Sequence, residues 1–131
     1  MAGQLILVVE DDAKSRRLVH DVLEYEGYRV AEATTGDEGV RLAKELAPAL
    51  ILMDIQLPVL DGIAALALIR EDPATRGIPV VAVTASAMAH DRPKIRAAGF
   101  NGYQSKPINV TEFLALVRRL AAPSAPSDPR T

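Results

Sequence analysis

Three uninterrupted aliphatic runs constrain this chain most: Leu5-Ile6-Leu7-Val8-Val9, Ala49-Leu50-Ile51-Leu52-Met53 and Pro79-Val80-Val81-Ala82-Val83. A strand with one wet face alternates apolar and polar residues. A run with no polar residue suits a strand buried on both faces, as in the middle of a parallel sheet. Tyr28 to Ala33 alternates instead, as an edge strand does, and Phe100 to Gln104 is a weaker fifth candidate.

Between these runs the apolar residues repeat at helical spacing. Leu18, Val19, Val22 and Leu23 form a stripe that stops at Gly27, a residue suited to the position just past a helix end. Thr35-Gly36-Asp37-Glu38 reads as a capping box opening a second helix with Val40, Ala43 and Ala47 inside. Ile63, Leu66 and Ile69 mark a third helix. Asn109 caps a last one bearing Phe113, Leu116, Val117 and Leu120. Pro93 is tolerated only in a first helical turn, so the fourth helix is expected to begin near Asp91, with Ala85 to His90 left as loop. Strand and helix patterns alternating five times predict an α/β domain: a five-stranded parallel sheet with helices on both faces.

Length and composition agree. The 131 residues, 49% hydrophobic and 24% charged, fit one domain with one core. We expect that domain over 1–121, followed by a Pro/Ser-rich flexible tail over 122–131. There is no cysteine, hence no disulfide, thiolate nucleophile or sulfur-built zinc site. A net charge of -2 and only 4% aromatics argue against nucleic-acid binding. No apolar run approaches the ~20 residues that span a bilayer, and the opening residues lack the basic and long apolar stretches of a signal peptide, so none is expected. The expected location is the cytoplasm, with no membrane insertion.

In open parallel sheets, chemistry gathers at the carboxyl ends of the strands. There the first strand delivers Glu10-Asp11-Asp12, the third Asp54, the fourth Thr84, and the fifth leads into Lys106-Pro107. Clustered carboxylates call for a cation, and an oxygen-only set suits Mg²⁺. A carboxylate can also accept a phosphoryl group, with Lys106 and Thr84 available to its oxygens. Each residue has a plainer reading. Asp12 and Asp61 are read first as helix caps. Glu10 and Asp11 taken alone could be solvated acids, Thr84 a strand residue, Lys106 a solvated lysine and Tyr103 plain packing. His20 and His90 have no companion ligands near by, so a histidine metal site is not expected. The weight lies in the joint pattern at four strand ends.

Glu10-Asp11, Asp54, Thr84-Ala85 and Lys106-Pro107, in this order and spacing, resemble the receiver domain of bacterial two-component response regulators. The stretches Leu52-Met53-Asp54-Ile55-Gln56-Leu57-Pro58 with Asp61-Gly62, and Pro79 to Ala85, are especially close. The likeness covers about residues 4–121 and is strongest to stand-alone receivers of the alphaproteobacterial cell-cycle kind.

The resemblance implies a flavodoxin-like sheet of order 2-1-3-4-5. It implies Asp54 as phosphoacceptor, supplied by the phosphohistidine of a sensor histidine kinase or a histidine phosphotransferase. Mg²⁺ would sit on Glu10, Asp11, Asp54 and the backbone carbonyl of Gln56. Thr84 and Lys106 would hold the phosphoryl oxygens, and the bond to Pro107 would be cis. Tyr103 matches a switch position that follows Thr84. Gln56 and Ser86 match positions that tune dephosphorylation. Output would pass to a protein effector through the fourth helix, fifth strand and fifth helix. Such a protein is a signalling phosphoacceptor rather than an enzyme, catalysing only its own phosphorylation and dephosphorylation. Pro93 and the alanine-rich Ala85 to Ala89 depart from the family pattern, and no DNA-binding output unit is expected.

Three rivals fare worse. An aspartyl phosphatase needs an acid two residues after the nucleophile, where Gln56 stands. A nucleotide-binding module lacks a glycine-rich phosphate cradle. A receiver-like module that is never phosphorylated should have lost one of the acids, the threonine or the lysine, and all are present.

Overall fold

The computed structural model describes residues 3–85 and 92–121. Strands and helices alternate: β1 (Leu5–Val9), α1 (Ala13–Tyr25), β2 (Arg29–Ala33), α2 (Gly36–Leu46), β3 (Leu50–Asp54), α3 (Gly62–Glu71), β4 (Val80–Thr84), α4 (Arg92–Ala98), β5 (Gly102–Ser105) and α5 (Val110–Ala121). All strand pairs are parallel, in the order β2-β1-β3-β4-β5. The expected sheet and order are therefore present, with alternating β2 on an edge.

The aliphatic runs are explained by the two faces of the sheet. Successive strand side chains point to opposite faces. Leu7, Val9, Ile51, Met53, Val80 and Ala82 join one buried cluster with Ala43 of α2, Leu66 of α3 and Ile95 of α4. Ile6, Val8, Leu50, Leu52, Val81 and Val83 join a second with Val19 of α1 and Phe113 of α5. A polar residue at any of these positions would lie in a core, so none occurs until the strands end. β3 and β4 end on Asp54 and Thr84, as the sequence led us to expect, so both residues occupy the last ladder positions.

The helix ends follow their caps, with some differences from expectation. Asp12, Asp61 and Asn109 accept from the N–H groups of Ser15, Ala64 and Glu112 at 2.9, 2.9 and 3.0 Å. Thr35 Oγ1 accepts from Glu38 N at 3.3 Å, but the Glu38 carboxylate reaches past Thr35 to the N–H of Thr34 at 2.9 Å, so the box closes one residue early. Gly27 takes φ +96°, and the next N–H, of Tyr28, closes back onto Leu23 O at 3.1 Å. Leu18 was expected in the buried stripe of α1 and is 45% exposed, since the stripe narrows to Val19 and Leu23. Ala47, expected inside α2, is its left-handed cap instead. Pro93 falls at the second residue of α4, within the first turn where proline is tolerated. The expected start near Asp91, the 85–90 loop beyond Ala85, Ser86, His90 and the 122–131 tail lie outside the described residues.

Candidate functional site

The site forms where β1, β3, β4 and β5 stop. Glu10 lies one residue beyond β1, its N–H still bonded to Ala33 O of β2 at 2.9 Å. That last ladder bond holds its side chain inward, and Glu10 is only 4% exposed. Asp54 closes β3 and is 6% exposed, while Asp11 between them is open to solvent. Thr84 is buried at the end of β4, one residue past the Asp54–Val83 register pair. Its carbonyl accepts from Lys106 N at 3.1 Å, tying the loop after β5 to the neighbouring strand end.

Lys106 holds the acids together. Its Nζ stands 2.7 Å from Glu10 Oε1 and 3.1 Å from Asp54 Oδ2. Burial pushes the Glu10 carboxyl above its ordinary pKa; Lys106 and the Asp12 N–H pull it back, and the Asp54 charge pushes it up again. Burial would lower the Lys106 pKa, but its hydrogen bonds to Glu10 and Asp54 and their charges outweigh this and raise it. The second Asp54 oxygen accepts from Gln56 N at 3.0 Å. The Lys106–Pro107 peptide is cis.

Glu10, Asp11 and Asp54 each offer an oxygen, and the three atoms lie within 4.8 Å of one another. The donor set is hard oxygen throughout and its charge is only partly met by one ammonium, so a small divalent cation fits it. Among the described residues this is the only such group.

Glycine lets the neighbouring loop approach. A Cβ on Gly62 would lie 2.5 Å from Asp54 O and 2.8 Å from Ile55 Cα; a Cβ on Gly36 would lie 1.9 Å from Leu60 O. The β3–α3 loop is thus pressed against Asp54 on one side and the start of α2 on the other. Gln56 is exposed on this loop, and its backbone is bound to Asp54. Tyr103 is half-buried in a groove of about 460 Å³ lined by Ile95, Phe100 and Leu116 and edged by Arg96 and Arg119.

Two supporting residues left no mark in the sequence. Arg16 donates to Glu10 O at 2.9 Å. Arg70 of α3 donates to Ile78 O at 2.7 Å and to Asn101 Oδ1 at 2.8 Å, joining the β4 and β5 entries. Arginines on exposed helix faces look alike in sequence, and only the fold reveals which carbonyls they reach. His20 has two carboxylates beside it, Glu24 Oε2 at 3.1 Å and Glu32 Oε2 at 2.8 Å, but among the described residues these three do not form a metal-ligand group.

A model of the response regulator receiver domain matches residues 6–118. The chain belongs to that family, the receivers of two-component signalling. The polar-differentiation response regulator DivK of Brucella ovis is 41% identical over 113 residues, 86% of this chain and 92% of that protein. Among solved structures, a Pseudomonas aeruginosa sensor histidine kinase receiver domain, with a magnesium ion coordinated in its active site cleft, is 38% identical. It superposes with a TM-score of 0.86, covering 93% of this chain and 100% of that one. The Vibrio cholerae chemotaxis protein CheY4 is 25% identical with a TM-score of 0.84, covering 91% and 99%.

Proposed function

We propose that this chain is a phosphoacceptor receiver that takes a phosphoryl group from a phosphohistidine onto Asp54. The observation that carries the reading is the Lys106 ammonium held between Glu10 and Asp54, beside a third carboxylate. One Asp54 oxygen attacks phosphorus as the phosphorus–nitrogen bond breaks and the departing imidazole keeps the electron pair. Phosphoryl transfer asks mainly for positioning and charge neutralisation. Mg²⁺ held by Glu10, Asp11, Asp54 and the Gln56 carbonyl would supply most of that neutralisation. Lys106 supplies the rest from its pinned position and keeps the phosphoryl oxygens company after transfer. In this reading Thr84 donates its hydroxyl to the same oxygens, and its burial at the end of β4, one residue beyond the Asp54 pairing, supports the role.

The donor in this reading is a sensor histidine kinase or a histidine phosphotransferase. The new charge draws Thr84, and Tyr103 follows into the space it leaves. This biases the α4, β5 and α5 face, where a protein effector binds. Gln56 and Ser86 set how fast water removes the phosphoryl group. The protein carries out no turnover on other substrates and works in the cytoplasm. No helix among the described residues is long and apolar enough to cross a membrane. The matches to DivK and to the magnesium-containing Pseudomonas receiver support the assignment.

The test is intact-mass spectrometry after incubation with a small phosphodonor, with and without Mg²⁺, beside Asp54→Asn. One phosphoryl addition that requires both Asp54 and the metal is expected. A folded protein that takes none overturns the reading and favours a binding module recognised in its unmodified form.

A further inference from the structure

The β1–α1 loop presents Glu10 and Asp11, yet the sheet cannot fix it. The last ladder bond is the one from Glu10 N to Ala33 O, so the carbonyls of Glu10 and Asp11 lie past the strand pairing. A backbone carbonyl near a buried carboxylate needs a donor. Arg16 provides it. Its Nη1 donates to Glu10 O at 2.9 Å and reaches Asp11 O more weakly at 3.5 Å. Its own backbone N–H closes onto Asp12 O at 2.9 Å in the first turn of α1. Its Nε faces Glu32 Oε1 at 3.5 Å, at the far end of edge strand β2. Glu32 is itself flanked by His20, whose Nδ1 lies 2.8 Å away without hydrogen-bonding alignment. The guanidinium fork therefore ties the metal-side loop to both α1 and β2, which a point-charge lysine cannot do as well.

We infer that Arg16, anchored by Glu32, is a positioning residue that holds the backbone of Glu10 and Asp11 in the conformation that binds Mg²⁺. The inference rests on the reading of Glu10, Asp11 and Asp54 as a magnesium site. It also opposes simple electrostatics. A cation this close to an acidic cluster repels Mg²⁺, so if charge alone mattered, removing Arg16 would tighten metal binding. Positioning predicts the reverse.

The experiment titrates Mg²⁺ into the full chain by calorimetry for wild type, Arg16→Met, Arg16→Lys and Glu32→Gln. Alongside, amide exchange of the metal-free proteins is followed at Asp12, whose N–H donates to Glu10 Oε2 at 3.1 Å, and at Val8 in mid-strand. Arg16→Met should weaken Mg²⁺ about tenfold, the lower end of the effect of losing an outer-shell partner. Arg16→Lys should recover part of this, and Glu32→Gln should lose less than Arg16→Met in the same direction. Exchange at Asp12 should quicken in Arg16→Met while Val8 stays protected. An unchanged or tighter Mg²⁺ affinity in Arg16→Met overturns the inference, as does an unchanged Asp12 exchange rate. A wild-type chain that binds no Mg²⁺ sinks the proposed function instead, and the metal-free exchange at Asp12 still decides the role of Arg16.

Discussion

Lys106 Nζ lies 2.7 Å from Glu10 Oε1, closer than to the proposed acceptor Asp54 at 3.1 Å. The lysine therefore serves Glu10 as well as Asp54 and meets part of the charge of the acidic group. Its removal leaves two nearly buried carboxylates side by side. Breaking a fully buried pair costs about 3–5 kcal/mol, and the 18% exposure of the Lys106 side chain reduces this. Lys106→Met should lose on the order of 2 kcal/mol without metal. Mg²⁺ should raise the melting temperature of Lys106→Met more than that of wild type, because the ion then replaces the compensating charge that the lysine supplies in wild type. Melting curves with and without Mg²⁺ check this, and equal Mg²⁺ shifts in the two proteins would contradict it.

Gly62 sets how close α3 comes to the acceptor. Its missing Cβ leaves room for Asp54 O, which such an atom would meet at 2.5 Å, and the clash is with backbone that cannot swing aside. Gly62→Ala should cost about 1–3 kcal/mol, as overpacking does. It should also slow phosphoryl uptake at Asp54 more than it weakens the fold. Urea denaturation and intact-mass time courses measure the two effects, and uptake at the wild-type rate would separate Gly62 from the site.

Arg70 offers the contrasting case. It donates to Arg76 O at 3.0 Å and Ile78 O at 2.7 Å, and to Gly99 O at 3.3 Å and Asn101 Oδ1 at 2.8 Å. Asn101 Oδ1 also takes the N–H of Val80 at 2.9 Å. These bonds fasten the entrances of β4 and β5, at the opposite end of the sheet from Asp54. Hydrogen bonds to a charged group are worth about 1.5–3 kcal/mol, so Arg70→Met should lose about that amount in urea. Phosphoryl uptake by the folded fraction should be unchanged, and a drop in its rate would show that the two ends of the sheet are coupled.

The strand ends were readable in the sequence because burial on both faces forbids a polar residue until a run stops. Asp54 after Leu52-Met53 thus announced its own position. The caps Asp12, Asp61 and Asn109 were readable because the N–H groups they satisfy are local. The Lys106–Glu10 contact was not, because it joins residues from opposite ends of the chain and needs the sheet order first. The bonds of Arg16 and Arg70 run from helices to carbonyls of other segments, and carbonyls leave no mark in sequence. Leu18 misled for a related reason: period shows that a residue faces the core side of a helix, not how far the neighbouring layer extends.

Asp72 links α3 to α2 and makes stability depend on pH. The Ala74 N–H, bonded at 2.9 Å, and then the Lys44 charge at 3.4 Å hold its carboxyl below the usual range. A carboxyl depressed in the folded state stabilises the fold above its unfolded pKa, near 4. That contribution disappears as pH falls through the folded value. Wild type should therefore exceed Asp72→Ala in urea midpoint by more at pH 7 than at pH 2.5. A gap that is the same at both values would show that the residue acts through its uncharged contacts alone.

Val59 occupies the tip of the loop that Gly36 and Gly62 press into place. Its φ is +69°, and Leu60 N closes onto Pro58 O at 2.7 Å across it, a tight turn around a β-branched residue. The left-handed region costs such a residue about 1–2 kcal/mol. Its side chain is 86% exposed, so little burial offsets that cost. Val59→Gly removes the strain but gives the unfolded chain back about 0.5–1 kcal/mol of freedom. The difference favours the variant by about 0.5–1 kcal/mol. The gain should appear as a higher urea midpoint with an unchanged slope. A variant less stable than wild type would mean that the exposed Val59 side chain contributes packing that its accessibility conceals.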